Sequence, residues 1–223
     1  MKLLNKIYHK IVWLFLVESR EILNSLFSRK RRRKLKGTNF TILSNNCWGG
    51  HVYRYFGLRY QSPTVGMYFY PDEYLKFVKN YKYYLSLPLT FLPSYKDSKY
   101  ASDLERKNEV DIPIARLGDV EIVMLHYRSK EEAREKWNRR VKHMNLNYVL
   151  IKNSYQNGMT DDNVIDFDAI EHKNKFIFVT KDYPGLDSTI IYKRFKGKGQ
   201  IKDDVTLFKR YVDIYSLINN LYA

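Results

Sequence analysis

Short apolar runs, each closed by polar or turn-forming residues and followed by an amphipathic segment, recur along residues 38–223. Thr38–Leu43 reads as a strand. A polar turn through Ser44, Asn45 and Asn46 then leads past Cys47 into a segment with Val52, Tyr55, Phe56 and Leu58 on one side, the spacing of a helix. Thr64–Tyr70 has the β-branched and aromatic content of a second strand, and Pro71-Asp72-Glu73 is a helix start before Tyr74, Leu75, Phe77 and Val78. Residues 88–113 are punctuated by Pro88, Pro93 and Pro113, and the charged stretch Ser94–Asp111 reads as a surface loop or short hairpin.

Val120–Leu125 is the next strand, ending at His126 and Tyr127, and Ser129 with Glu132 forms a capping box for the helix KEEAREKWNRRVKHM. Tyr148–Lys152 reads as a strand followed by Asn153, Ser154, a turn at Gly158 and a helix opened by Thr160, Asp161 and Asp162. Lys175–Thr180 is a strand ending in Lys181, Asp182 and Pro184, Ser188–Lys193 gives one more, and Asp213–Leu221 a last helix. Strands alternating with helices at this spacing predict an α/β fold: three layers, a mostly parallel sheet with helices on both faces. In such a sheet the strand C-terminal ends share one edge, where ligands bind. Ser44–Cys47, Tyr70 and Asp72, His126 and Tyr127, Asn153 and Ser154, and Thr180–Asp182 are therefore expected to face one crevice.

Residues 1–37 follow another pattern and are expected to form a separate N-terminal amphipathic helix, with residues 38–223 as a single domain. Leu4, Tyr8, Ile11, Phe15, Ile22 and Leu26 recur at helical spacing, widened by Trp13, Leu14 and Leu16. The longest apolar run, Ile11–Val17, is far short of the ~20 residues a spanning helix needs. Glu18, Arg20 and Glu21 stand where a signal peptide would need a small-residue cleavage site. The run Arg29–Lys34 and Lys36 follow, before Gly37.

Charge sharpens that reading. The chain carries a formal +15, and residues 1–36 hold eleven Lys or Arg against two acids, leaving +6 for the rest. A basic amphipathic helix followed by a polybasic run is the pattern of a segment lying on an anionic membrane surface. That reading is preferred over a partner-binding or self-associating helix, and both over nucleic acid, for which no recognition motif is present. The placement expected is cytoplasmic and peripheral, on the inner face of the plasma membrane; oligomeric state is left open.

Cys47 is the sole cysteine, so no intrachain disulfide forms, and no Cys/His cluster has metal spacing. A lone cysteine is most often a small buried hydrophobe. At a helix N-terminus, however, a thiol ionises more readily, and with His126 in reach it would form the thiolate–imidazolium nucleophile of acyl transfer. The backbone N–H groups of Cys47 and Trp48 would hold an oxyanion, Asn153 or Asp182 would orient His126, and His51 is a rival base. Gly49 and Gly50, with Asn45 and Asn46, would leave the backbone open to a ligand. Arg139 and Arg140 form a basic helix end able to meet phosphate. No glycine-rich phosphate loop is present, so the cofactor is left open.

The stretches FTILSNNCWGGHVYRYFGLRYQSPTVGMYFYPDEYLKF, PIARLGDVEIVMLHYRSKEEAREKWNRRVKHMN and NKFIFVTKDYP resemble the domain of unknown function 1919 family over residues 38–195. The family comprises bacterial proteins labelled exopolysaccharide biosynthesis protein and found in capsule or exopolysaccharide gene clusters. The resemblance implies that pathway. Its substrate would be a glycan or lipid-linked sugar, and its step a transferase step modifying or extending it, with Ser44, Asn45, Asn46, Trp48, Gly49, Gly50, His51, Tyr70, Tyr127, Arg139 and Arg140 as candidate contacts. The alternatives are a non-catalytic glycan- or glycosyltransferase-binding assembly factor and a cysteine hydrolase. Cys47 with GLRYQSP (57–63), His126 and Arg139-Arg140 is similar to a papain-like cysteine peptidase family, which continues with Pro-Phe-Asp-Trp where this chain reads Thr64-Val65-Gly66-Met67.

Overall fold

Along the strands, successive side chains enter two different cores, which is what a sheet covered on both faces requires. Leu43, Ile151, Ile177 and Val179 pack into one core, and their neighbours Ile42, Leu150, Phe176 and Phe178 into the other. The computed structural model describes residues 26–223, so most of the expected N-terminal helix lies outside them. The central sheet comprises β1 (Thr41–Ser44), β5 (Val149–Ser154), β6 (Lys175–Val179) and β7 (Thr189–Ile191), in the order β1-β5-β6-β7. Every pair is parallel, with Leu43 beside Ile151, Ile151 beside Lys175 and Ile177 beside Thr189.

Helix α1 (Trp48–Phe56) covers one face through Trp48, Val52, Tyr53 and Phe56, joined by α7 (Ile214–Asn219) through Ile214 and Ile218. On the other face lie α2 (Pro71–Lys79), α5 (Lys130–Val141) and α6 (Asp161–Asp168), contributing Tyr74, Phe77, Trp137, Val164 and Phe167. Helix α2 starts at the proline read from the sequence, with Asp72 and Glu73 in its first turn. Ser129 Oγ accepts from the Glu132 N–H of α5, but Glu132 reaches back to Arg128 N–H, one residue earlier than a capping box would have it. Helix α6 has the reciprocal form, between Thr160 and Asn163. The three-layer, mostly parallel α/β expectation holds.

Three expectations change. Val120–Leu125 yields β4 (Val120–Val123), which does not join the parallel sheet. It pairs antiparallel with β3 (Ile114–Leu117), itself paired with β2 (Thr90–Phe91), in a separate three-stranded sheet. Thr64–Tyr70 is not a strand: Gly66 takes φ +85°, and only Tyr68 bridges to Val123. Ser94–Asp111 is neither loop nor hairpin but a 3-10 turn and helix α4 (Ala101–Arg106), which follows α3 (Tyr81–Ser86). Leu104 is fully buried there, and Lys99 Nζ reaches the buried Glu73 carboxylate at 2.9 Å.

Residues 26–32 are helical and lie against the body. Arg31 donates to the Tyr55 carbonyl at 3.0 Å and stacks on its ring, and Arg32 donates to the Gly57 carbonyl at 2.9 Å. Further on, Lys36 N–H donates to Asn219 Oδ1 at 2.7 Å. The polybasic run is thus partly engaged by the domain. No helix among the described residues is long and apolar enough to cross a membrane.

Candidate functional site

The connections leaving β1 and β5 turn to opposite faces, α1 to one and α6 to the other, and between such strand ends α/β proteins form their ligand crevice. Here polar groups of the chain itself fill that position. Lys152, on β5, is fully buried, and its ammonium is bound to the Asp204 carboxylate and to Asn46 Oδ1 at 3.2 Å. Asn46 Nδ2 donates to both Asp204 oxygens, at 3.1 and 2.9 Å. Burial pushes the Lys152 pKa down, with Asp204 opposing the shift. The ammonium also faces the rings of Trp48 and Phe178, which favours its charged form.

Cys47 sits at the N-cap of α1, as read, with its thiol largely shielded from solvent. Burial raises its pKa to about 11; the negative Asp204 adds to that, while a Gly66 backbone hydrogen bond, Arg54 and Lys152 only partly oppose it. The Sγ–H points to the Met67 carbonyl at 3.9 Å. Two amides of the first turn are already used, Trp48 N–H by Asn46 Oδ1 at 3.1 Å and Gly49 N–H by Ser44 Oγ at 3.2 Å. The expected oxyanion donor at Trp48 is therefore occupied.

Gly49 and Gly50 are buried in α1, and they admit protein: a Cβ on Gly49 would lie 3.1 Å from Ile42 Cγ2, and one on Gly50 2.9 Å from Val65 Cγ1. His126 follows the antiparallel β4 and is exposed, so it does not share the parallel-sheet edge with Cys47. Both contact the segment 66–67, since His126 N–H donates to the Gly66 carbonyl at 3.0 Å, but no hydrogen bond joins their side chains among the described residues. Asn153 is buried with Nδ2 unpartnered and Oδ1 on Ser154 N–H, and Asp182 is exposed; neither bonds to His126. His51 lies against Arg54 at 3.1 Å. Tyr127 hydroxyl donates to the Val65 carbonyl and accepts from Arg140.

A groove of about 1290 Å³ opens on the same rim of the parallel sheet. Its walls are the N-termini of α2 and α6, helix α4, and the loop after β7. Of the expected contacts it contains Tyr70, whose ring stacks on Tyr100 at 3.7 Å. Its charge was not foreseen: Arg106, Lys107, Arg194, Lys198 and Lys202 line it with Asp72, Asp103 and Asp162. Asp103 takes Tyr70 hydroxyl at 2.7 Å and Lys107 at 2.8 Å, and Asp72 takes Asn163 Nδ2 at 2.8 Å. Burial raises the Asp103 pKa, but hydrogen bonds from Lys107, Tyr70 and Arg106 outweigh it and hold the carboxyl at about 2. The side chains of Lys198, Lys202 and Asp162 make no hydrogen bond or ion pair among the described residues. No group of three or more His, Cys, Asp or Glu able to hold a metal ion occurs among the described residues.

The sequence model of the family described as Domain of unknown function (DUF1919) matches residues 18–221. An "Uncharacterized protein" of Haemophilus influenzae is 32% identical over 176 residues, 79% of this chain and 79% of that protein. The match extends at both ends past the stretch carrying SNNCWGG and KWNRR, taking in part of the head and the last helix. The chain belongs to the DUF1919 family.

Proposed function

We propose that this protein takes part in bacterial exopolysaccharide or capsular-polysaccharide biosynthesis, as a transferase that holds a phosphate-linked glycan precursor in the rim groove while it is modified or extended. The observation that carries the reading is the groove. Two helix N-termini and the ammonium groups of Lys198 and Lys202 suit a phosphate or diphosphate, and the stacked Tyr70 and Tyr100 offer an aromatic wall for sugar rings. The pathway is taken from the resemblance to the exopolysaccharide proteins. Asp162, the groove carboxylate not tied to a neighbour, is the base for the acceptor hydroxyl. Arg29, Lys30 and Arg33, with Leu26 and Phe27 exposed beside them, meet the anionic inner face of the plasma membrane.

A non-catalytic assembly factor is the second reading, favoured by the absence of an ionised thiol beside an open groove. The same raised thiol pKa weighs against the cysteine hydrolase. The test is the polysaccharide made by a strain lacking the chain, complemented with variants. Loss of a substituent or of chain extension is expected in the deletion, with rescue by Cys47→Ala but not by Asp162→Asn or by Lys198→Glu/Lys202→Glu. An unaltered polysaccharide in the deletion would sink the pathway. Rescue by Asp162→Asn alongside failure of the lysine variant would favour the assembly factor.

A further inference from the structure

We propose that a second cavity, between the C-terminal ends of α1 and α5, binds a phosphorylated small molecule whose phosphoryl group is held by Arg59, Arg139 and Arg140. The cavity measures about 370 Å³ and shares no residue with the rim groove. Arg54, Arg59, Arg139, Arg140 and His143 line it together with Leu58 and Tyr60, and no carboxylate does.

The decisive residue is Arg140. Its side chain is nearly fully buried, donates to the Val65 carbonyl at 2.7 Å and to the Tyr127 hydroxyl, and stacks 5.0 Å from the Tyr60 ring centre. Among the described residues no carboxylate lies within ion-pair distance of it. A buried guanidinium without a counter-charge is costly to keep, because neutral acceptors do not repay its desolvation. An anion in the adjoining cavity supplies the missing charge. Arg59 points the same way: it is exposed and has no hydrogen bond or ion pair among the described residues.

Arginines at helix ends often serve the last carbonyls, but here the backbone already does so. Gly57, at φ +60°, and Leu58 donate to the Arg54 and Tyr53 carbonyls at 3.0 and 2.9 Å, and His143 N–H closes on the Arg140 carbonyl at 3.0 Å. The guanidiniums of Arg59, Arg139 and Arg140 are therefore not needed as caps. Arg139 does pair with Glu135 at 2.9 Å, but both are exposed, and such a pair contributes little and opens readily. Planar guanidiniums match phosphoryl oxygens in pairs, and several together suit a doubly charged oxyanion. The cavity is larger than a phosphate ion needs, and Leu58 and Tyr60 give it an apolar side, so a phosphate monoester fits better than free phosphate. This inference is independent of the polysaccharide reading, since it stands on different residues and is tested without activity.

The experiment uses the full chain, with thermal shift and calorimetric titration by inorganic phosphate, glucose 1-phosphate and, as control, sodium chloride at matched ionic strength. Both phosphates should raise Tm where chloride does not, with glucose 1-phosphate binding about tenfold tighter than phosphate. In Arg59→Ala/Arg139→Ala, whose sites are exposed, both affinities should fall about tenfold or more at unchanged unliganded Tm. Arg140→Lys, which keeps the charge but not the fork, should also weaken both. Equal effects of phosphate and chloride, or unchanged binding by the double variant, overturn the proposal. So does co-sedimentation with phosphatidic acid vesicles without any response to the soluble phosphates, which would make the ligand a lipid headgroup.

Discussion

Lys152 and Asp204, 52 positions apart in the chain, form an ion pair sealed at the end of β5. Among the described residues the ammonium has no other acid to turn to, only the amide oxygens of Asn45 and Asn46. Removing one partner leaves a charge in the interior, so Asp204→Ala should cost about 3–5 kcal/mol, measured by urea unfolding. Lys152→Met/Asp204→Leu should cost less than the single change, because no charge is then stranded. Equal losses in the two would mean the site is wetter than its burial implies.

Cys47 is predicted to be a slow thiol. With its pKa at about 11, the thiolate fraction at neutral pH is far below that of a free cysteine. Reaction of the folded chain with iodoacetamide should be much slower than that of a model thiol at pH 7–8, and should rise only as the pH nears 11. A rate plateau below pH 8 would restore the ionised nucleophile.

Acid should loosen the groove wall around Asp103. The carboxyl is held at about 2 in the fold against an ordinary value of 3.8, so its stabilising contribution is complete above about pH 4 and lost as pH falls through 2. Allowing for its partial exposure, the effect is about 1 kcal/mol. Tm followed from pH 5 to 2 should fall less steeply in Asp103→Asn than in the parent. Parallel curves would show that Lys107, Tyr70 and Arg106 do not depend on this charge.

Local pattern was sufficient where a segment's partners are its own neighbours in sequence. The caps at Ser129 and Thr160, the proline start of α2 and the short apolar run of β6 were all legible on those terms. It failed where the partner is distant. The strand Tyr148–Lys152 was cut short at a lysine, yet β5 runs on to Ser154 because Asp204 neutralises that lysine from another loop. The charged stretch 94–111 does lie largely at the surface, but its 3-10 turn and helix were hidden because its anchors, Glu73 and Glu121, belong to other elements. Pairing direction was hidden too, although one signal was available: Gly118-Asp119 between two apolar runs is hairpin chemistry, and it places β4 antiparallel to β3. That error carried His126 to the wrong edge. The groove cations lie on turns and short helices without periodicity, so nothing in their spacing drew them together.

The grip of Arg31 and Arg32 on the end of α1 makes the basic run a strut, not a leash. A leashed domain tumbles beneath whatever surface holds it and presents every side in turn. A strutted one keeps a single attitude, so an attachment at residues 26–33 also fixes the direction in which the rim of the sheet opens.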